Sequence, residues 1–453
     1  MDAAADKMKA EGLPDAAVGA FLRYRDRLRD GEQGTLPESE IEPVDCLPDA
    51  EQLPEDPDTW RDAVGRTVVI KLNGGLGTSM GMTGAKSLLE VKDGLTFLDI
   101  IARQVLALRE SSGVPLPLVL MNSFHTREDS LAALRAYPEL ALDLPLDFLQ
   151  GRVPKLGAEN LEPADWPADR RLEWAPPGHG DLYTSLATSG MLDALLERGC
   201  EYAFVSNSDN LGATLDPRIL ALFSRGRLPF LMEAADRTPS DRKGGHLARR
   251  PSGSLVLREI AQTPQEDQDS FQDVTRHRYF NANTLWVNLR ALADLLGQGN
   301  GALSLPMIVN RKTVDPADPG SPSVVQLETA MGAAIDVFEG AGALRVPRSR
   351  FVPVKTTGDL LSLRSDAYVM SAGPRVELAP ELDGTPPVID LDDEHYKLLP
   401  DFERRFPDGS PSLIGCERLS VAGDVRFGGG VVVRGTVHLE GPLEVAPGSV
   451  LEG

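Results

Sequence analysis

Basic residues are in short supply. Lys plus Arg number 46 against 68 Asp plus Glu, a formal net charge of −22. A nucleic-acid binder presents a basic face, so this balance argues against DNA or RNA as partners. It disfavours an anionic membrane surface for the same reason. Cysteine is equally scarce. Cys46, Cys200 and Cys416 stand far apart, in neither a disulfide framework nor a zinc spacing. No apolar run approaches the roughly 20 residues that span a bilayer. The opening MDAAADKMKAEG lacks the apolar stretch of a signal peptide. These absences leave a cytoplasmic enzyme as the expectation. With 453 residues, 42% hydrophobic and 25% charged, the chain has the makings of a soluble protein of two or three domains. An anionic substrate would need local lysines and a metal to overcome the overall negative field.

Residues 15–29 carry apolar positions at helical spacing. From Gly31 to Thr59 the chain is acidic and proline-rich, as suits an extended, solvated surface segment. Strand-like and helical stretches then alternate. TVVIKL, PLPLVLMN, YAFVSN and LPFLMEA read as strands; LTFLDIIARQVLALRE, TREDSLAALRAY (with Thr126 placed to cap it) and LYTSLATSGMLDALLERG read as helices. This alternation predicts an α/β domain with a largely parallel sheet. Ligands of such sheets sit outside the carboxyl ends of the strands, where KLNGGLG, MNSFHT and SNSDN fall. Near the end of the chain the pattern changes. Apolar pairs recur every six residues, at Leu419/Val421, Val425/Phe427, Val431/Val433, Val437/Leu439 and Leu443/Val445. Members of a pair share one face of a short strand, which predicts a hexapeptide β-helix. About two coils bury too little alone and must pack on the body or on another subunit. The expected division is a helical and acidic N-terminal segment over 1–60, a catalytic domain over 61–372, and a C-terminal domain over 373–453 with the β-helix from about 417.

The stretch KLNGGLGTSMGMTGAKS, Lys71 to Ser87, holds five glycines and ends in the pair Lys86-Ser87. Glycine allows positive φ and close backbone approach, and successive N–H groups in such a loop cradle an anion. A nucleotide phosphate is the first expectation. A Walker-type P-loop is excluded, because Ala85 stands between Gly84 and Lys86 and Met80 stands where its first glycine belongs. The dinucleotide fingerprint fails too: after Gly75 and Gly77, Met80 takes the place of its third glycine.

LNGGLGTSMGMTGAKS resembles the signature of eukaryotic-type UTP–glucose-1-phosphate uridylyltransferases (UDP-glucose pyrophosphorylases): L-N-G-G-L-G-T-x-M-G, three variable residues, then P-K-S. PPGHGDLY, VSNSDNLGATLD, REIAQTP, FNANTLW, VVQLETAMGAAI and VPRSRFVPVKTTGDLL are similar to further blocks of that family, in family order from about Arg66 onward. The resemblance implies a Rossmann-like nucleotidyltransferase domain with a mixed, largely parallel sheet and a C-terminal left-handed β-helix. Three departures stand out. Ala85 replaces the usual proline, which puts the stiffness of the loop in question. His125 stands where asparagine is frequent. The sequence stops at Gly453, where longer members continue and some assemble, so a homo-oligomer through the C-terminal domain stays an open expectation.

The reaction implied is UTP plus glucose 1-phosphate giving UDP-glucose and pyrophosphate, reversibly, by in-line attack on the α-phosphorus. Both reactants are anions, so positioning and charge neutralisation must carry catalysis. No Ser/His/Asp or Cys/His arrangement is read, in keeping with direct transfer. By resemblance, Lys86 contacts the triphosphate and Lys355 the phosphates; the apolar neighbours of Lys355 predict a strand that aims it inward. Asp209 is the implied ligand of Mg²⁺, which takes one or two carboxylates plus substrate phosphates. Leu72, Asn73, Gly74, Gly75 and Gln150 match positions that hold uracil and ribose; an amide suits the donor–acceptor edge of uracil. Gly178 and His179 lie against the nucleotide and sugar phosphate, with His179 a contact and not a base. Asn207, Glu259 and Asn281 match positions near the substrate, the last two by the hexose, and Lys243-Gly244-Gly245 is a further sugar-side loop. A broad-specificity UDP-sugar pyrophosphorylase is the alternative. An N-acetylhexosamine enzyme is opposed by Asn73 and Leu76, because that family's loop begins L-A-G-G-Q-G-T. A P-loop kinase would transfer a γ-phosphate, and a non-catalytic assembly protein would show no turnover.

Overall fold

The strand ahead of the glycine loop, Thr67–Asn73, is buried along almost its whole length. Val68 and Ile70 enter one hydrophobic core and Val69 the other. Strands of this kind lie in the middle of a sheet with both faces covered. The structure, a computed structural model, describes residues 2–371 and 373–453. Thr67–Asn73 pairs in parallel with Leu118–Asn122 on one side and Tyr202–Asn207 on the other, and Asp147–Leu149 extends the parallel run. Tyr279–Asn288 turns the sheet mixed: it is antiparallel to both Tyr202–Asn207 and Phe230–Asp236. Gly342–Arg345 then pairs in parallel with Phe230–Asp236, and His246–Arg249 and Leu255–Arg258 form a hairpin at the other edge. The sheet is the mixed, largely parallel one expected.

Register aligns the strand ends that matter. Asn73 lies opposite Asn122, Asn122 opposite Leu149, and Leu72 opposite Asn207. The segments that leave these ends therefore share one rim. Helix Phe97–Ser112, closed at its start by a Thr96–Asp99 capping box, covers one face.

Several elements differ from the sequence reading. The long helix expected after PPGHGD is two, Leu182–Thr188 and Met191–Glu197, parted at Gly190, whose φ of +78° ends one helix and starts the next. Thr126 precedes helix Arg127–Leu134, but its hydroxyl accepts from the Ser123 N–H at 3.0 Å and caps nothing. The segment from Gly31 to Thr59 is no solvated linker. Leu36, Ile41, Val44 and Leu47 are buried, and Glu42–Pro43 is an edge strand against Ala248 and Arg249. Its acids are anchors: Glu38 accepts from the buried Arg258 at 2.6 Å. The N-terminal helices Ala3–Ala10 and Asp15–Arg29 pack on the hairpin Met307–Thr313/Ser323–Thr329 through Met8, Val18, Phe21, Val325 and Leu327. The expected boundary at residue 60 meets helix Pro57–Gly65; Ala372, at the other, lies outside the described residues.

At the C-terminal end, Ser412–Ala422, Val432–Glu440 and Val450–Glu452 stack in parallel, as do Val425–Phe427 and Leu443–Val445. Partners stand eighteen residues apart (Leu419 with Val437, Val425 with Leu443, Val432 with Val450), so three hexapeptides make one coil. Leu419, Val425, Phe427, Val431 and Val433 are buried, whereas Leu443 is exposed. The coils do not stand alone. Their interior is continuous with the core around Phe97, Leu360 and Phe402. Among the described residues no helix is long and apolar enough to cross a membrane.

Candidate functional site

The glycine loop leaves Thr67–Asn73 and folds back on itself. The Lys86 N–H donates to the Gly75 carbonyl at 3.0 Å. That bond directs the Lys86 ammonium across the sheet rim to Asp209, 2.6 Å from Oδ2. The pair is half-buried, with side-chain exposures of 13% and 24%. Ala85 is buried at φ −61° and ψ 124°, the backbone conformation of proline, and its N–H makes no hydrogen bond among the described residues. The proline position keeps its shape without the ring.

Asn73 faces inward. Its amide donates to Asn122 Oδ1 at 2.7 Å and to Ser130 Oγ at 2.8 Å; Asn122 in turn donates to Asp147. This side chain ties its strand end to the neighbouring strand and to helix Arg127–Leu134, and leaves only backbone at the rim. Gln150 closes over the loop: a Cβ on Gly74 would stand 2.6 Å from its Oε1. Leu72 and Asn207, both half-buried, lie side by side in register.

Asp209 is joined to Lys355 through the main chain. The Val354 N–H donates to the Asp209 carbonyl at 3.3 Å, and Asn210 bonds Arg350 and Val352 on the same segment. Arg350 is fixed from below by a bidentate pair with the fully buried Glu233, at 2.6 and 2.7 Å, which also accepts from Trp286. Lys355 itself is not on a strand. It stands exposed in the loop before helix Thr357–Arg364, and its N–H donates to Asp359. Val352 and Val354 look strand-like because they pack on the Asn210 loop through an isolated bridge at Pro353.

Burial holds the Glu259 carboxyl above its ordinary range, against the pull of the Lys355 ammonium. Its oxygens lie 2.5 and 2.6 Å from the place a Cβ on Gly245 would take, which puts the Lys243-Gly244-Gly245 loop beside it. The Gly245 carbonyl accepts from the Asn281 N–H at 3.2 Å. Asn281 is buried and shares two hydrogen bonds with Asn283, at a bulge in its strand. Gly332 lies against the Asn281 amide, and the Met331 N–H beside it donates to His179 Nδ1 at 2.9 Å. That bond places the imidazole proton on Nε2, free to donate. Burial lowers the His179 pKa to about 4, so the ring is neutral at pH 7. Gly178 sits at φ +80°, where a Cβ would fall 2.4 Å from the Thr329 carbonyl.

The residues singled out in the sequence therefore gather along one rim; Lys355 stands in a loop rather than on the expected strand, and the Asn73 side chain faces the interior. Asp209 Oδ1 makes no hydrogen bond among the described residues, and no group of three or more His, Cys, Asp or Glu there could hold a metal by itself. One free carboxylate oxygen suits a cation held jointly with substrate phosphates.

The chain matches the UTP–glucose-1-phosphate uridylyltransferase family over residues 19–434. It belongs to that family. It is 39% identical to the UTP–glucose-1-phosphate uridylyltransferase of Hordeum vulgare, over 99% of this chain and 97% of the relative. To that of Solanum tuberosum it is 41% identical, over 96% and 90%. Among solved structures it resembles a variant of UDP-glucose pyrophosphorylase from Leishmania major in complex with UDP-glucose, with a TM-score of 0.93 and 46% identity over 100% of this chain and 98% of that one. UDP-glucose phosphorylase from Trypanosoma brucei gives a TM-score of 0.90 at 47% identity, over 99% and 97%.

Within this uridylyltransferase frame, one residue of the site escaped the sequence reading. Asp181, in PPGHGD, accepts from the Gly151 N–H at 2.6 Å and from Ser185 Oγ. It links Gln150-Gly151 to the His179 turn, and burial raises its pKa. The quoted motif contained it, but a lone Asp before a helix reads as a cap.

Proposed function

We propose that this chain transfers the uridylyl group of UTP to glucose 1-phosphate, releasing pyrophosphate, and runs the reverse reaction. One observation carries the reading. Gln150, Gly74, Lys86, Asp209, Lys355, Glu259, Asn281 and His179 follow one another along the rim, linked directly or through the neighbours Gly75, Val354, Gly245 and Met331, with Lys355 acting on Glu259 by its charge, and Asp181 closes the circuit between His179 and Gln150. A nucleotide and a sugar phosphate laid across that rim would meet an amide at one end, cations in the middle and a carboxylate at the other.

Gln150 and the backbone of Leu72 to Gly75 would read uracil and ribose. The phosphate oxygen of glucose 1-phosphate attacks the α-phosphorus; that P–O bond forms as the bond to the bridging oxygen of pyrophosphate breaks. No proton has to move. Lys86 would neutralise charge at the leaving pyrophosphate. Lys355, exposed at the rim, would follow the phosphates as they shift. Neutral His179 would donate from Nε2 to a phosphate or ribose oxygen, and Asn207 would lie beside the same groups. Glu259 and Asn281 would accept from and donate to hexose hydroxyls, contacts that discriminate sugars more strongly than apolar ones do. Asp209, through its free oxygen, would hold Mg²⁺. When bound, the ion supplies further charge neutralisation at the phosphates.

The 18-residue coils and parallel register of the C-terminal strands support a left-handed β-helix. Exposed Val450 and Leu443 on it support self-association through this region, to be read by light scattering. For the reaction, pyrophosphate release is measured with UTP and glucose 1-phosphate. Release of orthophosphate alone, or no turnover, would refute the proposal.

A further inference from the structure

On the face of the sheet that bears Val69, beneath helix Phe97–Ser112, lies a cavity of about 550 Å³. Its size is that of a small-molecule site. Ile101, Val105, Leu108, Leu116, Phe204 and Leu215 make apolar walls. At its floor stands Lys71, 2% exposed, on the same strand that runs into the glycine loop.

Lys71 is a buried cation without a counter-ion. Its Nζ donates to Ser206 Oγ at 2.7 Å and to the Ala213 carbonyl at 2.9 Å, both neutral oxygens. No carboxylate lies within 4.0 Å of it among the described residues. The nearby Glu233 is spent on Arg350, whose own charge opposes that of Lys71. Burial and Arg350 together bring the Lys71 pKa down to about 7. A buried charge lacking an anionic partner is costly; the third ammonium donor has no oxygen acceptor and meets only the Phe204 ring, 5.6 Å away. A second unmet donor lies in the same wall. Gln104 Nε2 is buried and has no hydrogen-bond partner among the described residues. Arg375, Glu110 and Glu377 are the other charged groups lining the cavity. Nothing in the transfer reaction uses any of these groups.

We propose that this cavity is a second ligand site, for a small monocarboxylate with an apolar body, whose carboxylate pairs with Lys71 and accepts from Gln104. The apolar walls take the body, and pairing with the anion favours the charged form of Lys71. A neutral molecule of the same shape would leave Lys71 as it is.

Sodium octanoate serves as the probe, titrated calorimetrically into the full chain at pH 8 in two buffers of different ionisation enthalpy. The proposal expects saturable binding at one site with net uptake of a fraction of a proton, because the carboxylate restores the charged form of Lys71. Octanol should bind at least about tenfold more weakly, the scale of losing one charge-assisted hydrogen bond. Lys71→Met should abolish proton uptake and weaken octanoate by a similar factor. Leu108→Trp, which fills the cavity, should keep the native thermal transition and lose binding. Absence of octanoate binding at millimolar concentration would overturn the proposal. So would binding without proton uptake, or equal affinity for octanol. Each of these is read on the native chain, whatever Lys71→Met does to folding.

Discussion

Replacing Lys86 by Met keeps a stem of similar length and removes the charge. The ammonium stands 2.6 Å from Asp209 and only 13% of the side chain is exposed, so solvent screens it incompletely. A unit charge about 4 Å from a phosphate oxygen contributes roughly 4 kcal/mol at an effective dielectric constant of about 20. Only the part that grows in the transition state accelerates the reaction. Loss of comparable electrostatic groups lowers kcat by about 100- to 1000-fold, and that is the range expected for Lys86→Met. Stability should barely change. Asp209, 24% exposed, can be hydrated when its partner leaves, and an ion pair open to water contributes at most about 1 kcal/mol. The assay is steady-state pyrophosphate release with both substrates saturating, alongside thermal unfolding of the variant. A kcat within about fivefold of the native value, under roughly 1 kcal/mol of barrier, would remove Lys86 from the mechanism. A melting temperature lowered by more than about 4 °C would assign it a structural part instead.

Three further outcomes can be checked independently. Ala85→Pro should stabilise the fold by about 0.4–1 kcal/mol in urea unfolding, because the native φ of −61° already fits the ring; destabilisation would show that the loop is not held as described. Arg350→Met leaves the carboxylate of Glu233 buried without its cation and should cost about 3–5 kcal/mol, whereas a cost below about 1 kcal/mol would contradict the buried pair. His179 has a folded pKa of about 4 against an ordinary 6.5, so the unfolded chain binds its proton first. Its contribution to stability is full above pH 6.5 and is lost as pH falls through that window toward 4. Urea unfolding from pH 7 to 4 should show this decline, and His179→Gln, which can accept from Met331 and still donate, should flatten it; an unchanged slope would place the proton elsewhere.

Much of the frame was legible in residue patterns. TVVIKL and YAFVSN are strands because continuous β-branched and aromatic runs suit a sheet covered on both faces. The six-residue spacing of apolar pairs appeared as stacked parallel coils for the same steric reason that made it visible. The rim was readable because loops after parallel strands converge there. What escaped depends on tertiary partners. Lys355 has strand-like neighbours, yet Val354 is buried by the Asn210 loop, which lies far away in sequence. The acidic stretch after Gly31 hides apolar anchors among prolines, and Glu38 has meaning only once Arg258 is buried beside it. The direction of the Asn73 amide is likewise set by Asn122 and Ser130, which lie some fifty residues on. Lys71 gives no sign in sequence of being buried, because a lysine between Ile70 and Leu72 reads equally well as an exposed position.

Transfer of uridylyl from UTP to glucose 1-phosphate at this rim is read by pyrophosphate release from UTP with a panel of sugar 1-phosphates, run with and without Mg²⁺. Turnover should be fastest with glucose 1-phosphate, with one pyrophosphate per UDP-glucose, and should be lost when Mg²⁺ is chelated. Equal turnover of galactose and glucose 1-phosphates would contradict the narrow specificity, and a rate indifferent to chelation would remove the metal from Asp209.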